Sequence, residues 1–219
     1  MPDAPANPAP AAEPPTEPGA SPAGEAAPSS APSSTPPPAR RSVWTPKQKL
    51  VRVAWTLLAR PAWILFPPLR ARLLRSFGGR VGQRCTLPRD VEITIPWHIR
   101  IGDDVRIAER VVLYSLGVIT IEDGASIDYR AHLCAGTHDM TDSTFPLLKP
   151  PITIGAGTFV GLDAYIGPGV ELGRSCRVWP RASVYKSAPA GTHIAGNPGR
   201  SVDPGETEAL THRAGEDLG

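Results

Sequence analysis

Histidine is the side chain in this sequence best suited to moving protons near neutral pH, and there are five. His138, followed by Asp139, opens a stretch where the pattern around it breaks. An imidazole with a pKa near ambient could take the proton from a hydroxyl, which is a poor nucleophile until a base does so. On residue type alone, a surface histidine making an ordinary hydrogen bond is the better explanation of His138. His98 beside Trp97, and His193 near the C-terminal turn, read as structural. Zinc needs close imidazoles and an open position; His132 and His138 stand six residues apart, with no evident third ligand. Cys85, Cys134 and Cys176 form no CxxC pair, and packing explains Cys85 and Cys176 better than metal or disulfide chemistry.

What must position these groups is a repeat. From Ile154 an aliphatic residue returns every sixth position: Val160, Ile166, Leu172, Val178 and Val184. Glycine follows at Gly155, Gly161, Gly167 and Gly173, and small residues or Val stand at Thr158, Ala164, Val170, Cys176 and Ala182. A six-residue period fits neither an amphipathic helix nor a plain alternating strand. It fits a short strand and a tight corner, three of which close a triangular coil of about 18 residues, stacked about 4.8 Å apart. In this reading glycine serves the corner by tolerating backbone angles that a Cβ forbids.

Net charge is +2, which implies no polyanionic partner and no nucleic acid. No signal peptide is visible, so a reduced cytoplasm is the expected compartment. Residues 1–39 are rich in Pro, Ala and Ser and are expected to be disordered. Residues 40–80 form a basic amphipathic helical segment, since no acidic residue occurs between Glu25 and Asp90. There Leu50, Ala54, Leu57 and Leu58 recur at helical spacing, with Lys49, Arg52, Thr56 and Arg60 opposite. Pro61 is expected to limit this helix, and a second should start near Pro67-Pro68 and reach Gly78-Gly79. The apolar run is too short to span a bilayer. Two compatible uses follow: the apolar face covers the open edge of the first coil, or the segment, with Trp44, Trp55 and Trp63, makes peripheral contact with the inner face of the membrane.

The solenoid is expected over residues 81–200, with a flexible tail at 201–219. Val81, Leu87 and Ile93 give a first, degenerate coil. After a two-residue slip Ile101, Ile107 and Leu113 continue it, and after another so do Ile121, Ile127 and Leu133. The pattern then fails between His138 and Pro151. A loop of about 138–151 must leave the body there, and insertions in a solenoid tend to mark its functional face.

Several stretches carry a resemblance: Leu73-Leu74-Arg75-Ser-Phe-Gly-Gly-Arg-Val-Gly82, Ile95-Pro96-Trp97, Ile101-Gly-Asp103, Leu113-Tyr114, Leu133-Cys-Ala-Gly-Thr-His138-Asp139, Pro151-Ile-Thr-Ile-Gly155 and Ala195-Gly-Asn-Pro198. Together they resemble the hexapeptide-repeat acyltransferases, and within them the colanic acid biosynthesis acetyltransferase branch, over roughly residues 44–200. The resemblance implies an all-β left-handed parallel β-helix, a homotrimer with sites between subunits, and acetyl-CoA as co-substrate with no metal. It implies direct O-acetylation of a sugar hydroxyl in exopolysaccharide or other glycan synthesis, the acceptor free or lipid-linked. His138 maps to the general base, and a hydrogen-bond donor should stabilise the oxyanion. Phe159, Gly161, Leu162, Pro180, Tyr185, Lys186 and Arg200 map to the cofactor groove. Phe159 stands where relatives usually have Trp, and Leu162 where they have a small residue. Tyr114, Ser115 and Asp139 are candidate acceptor contacts, Asp139 with the alternative of steadying the loop.

Two other readings stand beside this one. A γ-class carbonic anhydrase shares the left-handed β-helix, but places two of its zinc-binding histidines five residues apart. A non-catalytic scaffold or binding module would keep the solenoid and leave His138 incidental.

Overall fold

The computed structural model describes residues 45–205. The expected tail at 1–39, Trp44, and 206–219 of the C-terminal tail lie outside the described residues. From Arg80 onward the chain is a parallel β-solenoid of about six coils. Face A stacks Arg80–Val81, Ile99–Ile101, Ile119–Ile121, Ile152–Ile154 and Glu171–Leu172. Face B stacks Arg106–Ile107, Ser126–Ile127, Phe159–Val160, Arg177–Val178 and His193–Ala195. Face C stacks Glu92–Ile93, Val112–Tyr114, His132–Cys134, Tyr165–Ile166 and Ser183–Val184. In register, Ile101, Ile121, Ile154 and Leu172 form one inward column, and Ile93, Leu113, Leu133, Ile166 and Val184 another. These residues are buried, and each column gains its burial only from its neighbours above and below.

The glycines after the inward residues play a different part from the one expected. The left-handed backbone falls two positions later, at Asp104, Arg110, Arg130, Asp163, Ser175 and Arg181 among others. Side chains other than glycine accept that strain at most corners. What Gly155 and Gly161 provide is clearance: a Cβ on Gly155 would lie 2.5 Å from the Gly173 carbonyl carbon, and one on Gly161 2.7 Å from the Pro180 nitrogen.

The helical segment runs α1 (Pro46–Ala54), a π-turn (Trp55–Ala59), α2 (Arg60–Leu65), a 3-10 turn (Pro67–Leu69) and α3 (Arg70–Ser76). Thr45, the residue before α1, and Gln48 close a capping box at its start. Pro61 does not end the helical path, because it sits in the first turn of α2, where a missing N–H is tolerated. The wide turn before it bonds Arg60 N–H to the Trp55 carbonyl. The second helix expected from Pro67-Pro68 appears as the 3-10 turn Pro67–Leu69 followed by α3, which ends before Gly78-Gly79. The buried face, however, is Trp55, Ala59 and Trp63, while Leu50 and Leu57 point outward.

Those buried residues, with nearby arginines, close the open edge of the solenoid. Within the body, the Ile101 carbonyl accepts from Gly82 N–H, Val111 from Glu92, and Leu113 from Thr94. The matching carbonyls of the first coil have no preceding coil. Side chains replace it: Arg75 Nη2 donates to the Val81 carbonyl at 2.7 Å, Arg70 Nη1 to Leu87 at 2.9 Å and Arg60 Nη1 to Val91 at 3.0 Å. Trp55 Nε1 donates to Ile93 at 3.2 Å, and Trp63 Nε1 to Pro88 at 3.1 Å. Arg60 therefore faces the solenoid rather than the polar side of its helix.

Replacing Trp63, which is 1% exposed, with alanine removes both a large buried ring and one of these donors. We expect Trp63→Ala to lose about 3–5 kcal/mol of stability, read as a lowered urea midpoint. An unchanged midpoint would show that the helical segment is not integral to the solenoid.

Candidate active site

Face C hands over to face A at one corner of the triangle, and that corner is enlarged in successive coils. In the first coil it holds the 3-10 turn Pro96–His98, and in the second Ser115 to Val118. In the third the chain leaves altogether as an antiparallel hairpin. Thr137–His138 pairs with Leu147–Leu148, His138 standing opposite Leu147. The chain then rejoins the body at Ile152–Ile154, in register with Ile119–Ile121. The feet of the hairpin press on Gly117, where a Cβ would meet the Lys149 carbonyl at 2.6 Å and the Pro150 carbonyl at 2.8 Å. Gly117 N–H also donates to the Ala135 carbonyl at 2.6 Å. His138 thus stands exposed on the first strand of a braced hairpin.

Asp139 takes the loop-steadying half of its expected role. Its N–H donates to the Pro146 carbonyl at 3.0 Å, while its Oδ1 accepts from Thr141 Oγ1 at 2.6 Å and Thr141 N–H at 2.9 Å. These bonds, the Thr141 hydroxyl first, hold its carboxyl below the usual range. Ser115 requires a correction. It is fully buried, its Oγ accepting from Ile95 N–H at 2.9 Å and donating to the Ile95 carbonyl at 3.0 Å. Both functions of the hydroxyl are spent on the corner, so it offers nothing to an acceptor. His98 is likewise structural, its Nδ1 lying 2.9 Å from the Ser115 carbonyl.

The outer surface of face C carries an aromatic column that ends beside this corner. Tyr114 stands in register with Cys134 and meets the His132 ring edge-on at 6.4 Å. His132 meets Tyr165 at 5.5 Å, and Tyr165 meets Tyr185 at 5.5 Å. Tyr114 and Tyr185 are exposed, whereas His132 and Tyr165 are half-buried. Burial, then the neighbouring Cys134 thiol, raises the Tyr165 hydroxyl's pKa. His132 Nε2 is buried with no hydrogen-bond partner among the described residues. Sequence reasoning left Tyr165 out and set His132 aside; their stacking was hidden by the hairpin, which separates them in the chain.

The remaining candidates lie along face B, at its corner with face C, and just past the end of face C. Phe159 pairs in register with Arg177, and a cleft of about 190 Å³ is lined by Phe159, Arg177, Val178, Trp179 and Pro180. Leu162 and Pro180 occupy equivalent corner positions of successive coils, both exposed. Gly161 is buried beneath Pro180, and packing between coils accounts for it. Tyr185 and Lys186 are exposed at the end of face C. Arg200 is exposed on the strand Arg200–Val202, which returns antiparallel to His193–Ala195. The structure thus brings Phe159 and Pro180 together in one cleft with Leu162 at the equivalent corner of the coil before, and places Tyr114 and His138 at the face C to face A corner of successive coils; Arg200 stands on a separate strand. Among the described residues no three His, Cys, Asp or Glu side chains gather to hold a metal ion.

No protein-family model matches the chain. A curated relative does: WcaF of Escherichia coli K12, assigned as an acetyltransferase to colanic acid biosynthesis, is 39% identical over 129 residues, covering 59% of this chain and 71% of WcaF. The chain belongs to the hexapeptide-repeat acetyltransferases. Solved structures agree on the fold. The hexapeptide-repeat acetyltransferase VCA0836 of Vibrio cholerae superposes with a TM-score of 0.66 at 24% identity, covering 73% of this chain and 93% of that one. VCA0836 has also been solved with acetyl-CoA, again at a TM-score of 0.66, with 22% identity over 73% of this chain and 89% of that one. A maltose O-acetyltransferase of Clostridium difficile 630 gives 0.66 at 19% identity, over 73% and 88%. The solenoid of this acetyltransferase is therefore the left-handed parallel β-helix that the resemblance implies.

Burial holds the His132 pKa below its ordinary value, against a smaller upward pull from Glu92. The folded acetyltransferase binds this proton less readily than the unfolded chain does. The stability involved is intact above the unfolded value of about 6.5 and is lost as pH falls from there through the folded value. Thermal midpoints measured from neutral pH downward should fall less steeply in His132→Phe than in the parent. Identical acid slopes would contradict the burial of His132 in solution.

Proposed function

We propose that this acetyltransferase moves the acetyl group of acetyl-CoA onto a sugar hydroxyl in exopolysaccharide or other glycan synthesis, by direct transfer with His138 as general base. The observation that carries this reading is the placement of His138. It is an exposed imidazole on a hairpin braced at both feet, at the one corner where the coil is interrupted. The kinship with WcaF supports a glycan as the acceptor, and the VCA0836 complex supports acetyl-CoA as the donor.

The chemistry asks little more of the protein. The acceptor hydroxyl gives its proton to the His138 imidazole as its oxygen attacks the thioester carbon. A new C–O bond forms, the C–S bond breaks, and the imidazolium returns the proton to the departing thiolate. No covalent acyl-enzyme is needed, and the overall reaction leaves His138 unchanged. Tyr114, exposed at the last residue of its strand just before the enlarged corner, suits an acceptor contact. The apolar cleft of Phe159 and Pro180, with Leu162 at its corner, suits the pantetheine arm, and Tyr185, Lys186 and Arg200 suit the nucleotide phosphates. Phe159, Leu162 and Pro180 lie along face B and at its corner with face C, whereas His138 stands at the corner from face C to face A of the same chain. That separation favours sites completed between subunits, as in a homotrimer.

His138→Ala should lower turnover by two orders of magnitude or more without loss of stability, since the side chain is exposed. The assay is CoA release with a panel of nucleotide sugars, lipid-linked oligosaccharides and polysaccharide fragments. Near-parental turnover in the variant would remove His138 as the base. A parent enzyme that releases CoA with none of the glycans would overturn the acceptor class.

A further inference from the structure

The helical segment has a second apolar face that the solenoid does not use. Leu50, Val53 and Leu57, spaced three and four residues apart, lie on one side of the helical path and are 69%, 52% and 66% exposed. Leu65 and Phe66 extend the exposed apolar surface at its far end, at 69% and 52%. The opposite side, with Trp55, Ala59 and Trp63, is committed to the first coil, so packing among the described residues does not account for the outer stripe.

Its surroundings identify what it fits. Lys49 and Arg52 share a shallow depression with Val53 and Leu57, and Lys47 sits with Leu50 on the rim of a groove of about 700 Å³. That groove is floored by Val51, Ala54, Phe77 and Trp97. No acidic residue occurs anywhere between Glu25 and Asp90. A second copy of this chain laid on the same patch would bring these cations against their own images, and like charges facing each other oppose such pairing. A surface that is apolar and negatively charged satisfies both features at once.

We propose that this stripe docks the protein peripherally on an anionic lipid surface. Leu50, Val53 and Leu57 enter the boundary between headgroups and acyl chains, while Lys47, Lys49 and Arg52 meet lipid phosphates. No helix among the described residues is long and apolar enough to cross the membrane, so the contact is interfacial. Trp97, in the groove beside Leu50, belongs to the same corner of the solenoid that carries the His138 hairpin two coils on. At the usual strand spacing, that is roughly 10 Å along the axis. Docking by this stripe therefore holds the hairpin corner close to the lipid surface. The inference stands on the helical segment alone and does not depend on the acetyl-transfer reading.

The test is co-sedimentation of the full chain with vesicles of phosphatidylglycerol and phosphatidylcholine, and with phosphatidylcholine alone, at low and at raised salt. The parent should bind the anionic vesicles at low salt and lose affinity as salt rises. Leu50→Ser with Leu57→Ser should weaken binding roughly 100-fold, and Lys47→Gln with Lys49→Gln roughly 30-fold. Thermal midpoints should be unchanged, since all four side chains are exposed. Absence of binding by the parent, or undiminished binding by the Leu50/Leu57 variant, would overturn the proposal. So would a change of oligomeric state in that variant by light scattering, which would assign the stripe to a second copy.

Discussion

Everything in this structure depends on one accounting rule: each coil's carbonyls must find donors on the coil before it. Within the solenoid the rule is met automatically, as Gly82 serves Ile101, Gly102 serves Ile121 and Gly155 serves Leu172, each at 2.8 Å. At the first coil it has to be met by other means, and three arginines and two tryptophans supply the donors. The last described coil closes differently, as Arg200–Val202 folds back antiparallel on His193–Ala195. An unpaired parallel edge invites pairing with other chains. The helical segment, with its indole and guanidinium donors, removes that hazard while burying Trp55 and Trp63.

A lattice built this way tolerates interruption at its corners and nowhere else. The corner from face C to face A absorbs two extra residues in each of the first two coils and a full hairpin in the third, while the columns on either side keep their register. The coil below holds the hairpin's feet through Gly117, and the coil above holds the returning strand through Glu171–Leu172, paired with Thr153 and Ile154. Such support lets an exposed histidine stay positioned: the scaffold is rigid where it is periodic, and the exposed imidazole stands where periodicity stops. Asp139 and Thr141 tighten the same hairpin from within.

Much of this was legible in the sequence because a period of six writes the inward column directly into residue types. Val81, Leu87 and Ile93 were recognisable as a coil by their six-residue spacing, and the failure of the repeat after His138 marked the hairpin. Residues whose role depends on a neighbouring coil were harder to read. Glycine after the inward aliphatic suggests a turn, yet Gly155 and Gly161 are needed for clearance from residues 18 or more positions on. Ser115 reads as a surface polar residue, but its hydroxyl is taken by Ile95 on the coil before. The helical stripe Leu50–Leu57 reads as the buried face, because hydrophobicity alone cannot tell which of two apolar faces meets the body. His132 and Tyr165 share a column only once the hairpin between them is folded out of the way.

The role proposed for His138 is that proton and acyl transfer meet at its imidazole. A crystal structure of this acetyltransferase with CoA and a glycan acceptor tests it most directly. It should place the acceptor hydroxyl within hydrogen-bond reach of the His138 imidazole, or one water away, with the CoA sulfur beside that oxygen and the pantetheine arm along Phe159 and Pro180. A ternary complex with the acceptor oxygen and the sulfur together at another surface, and His138 turned to solvent, would contradict it.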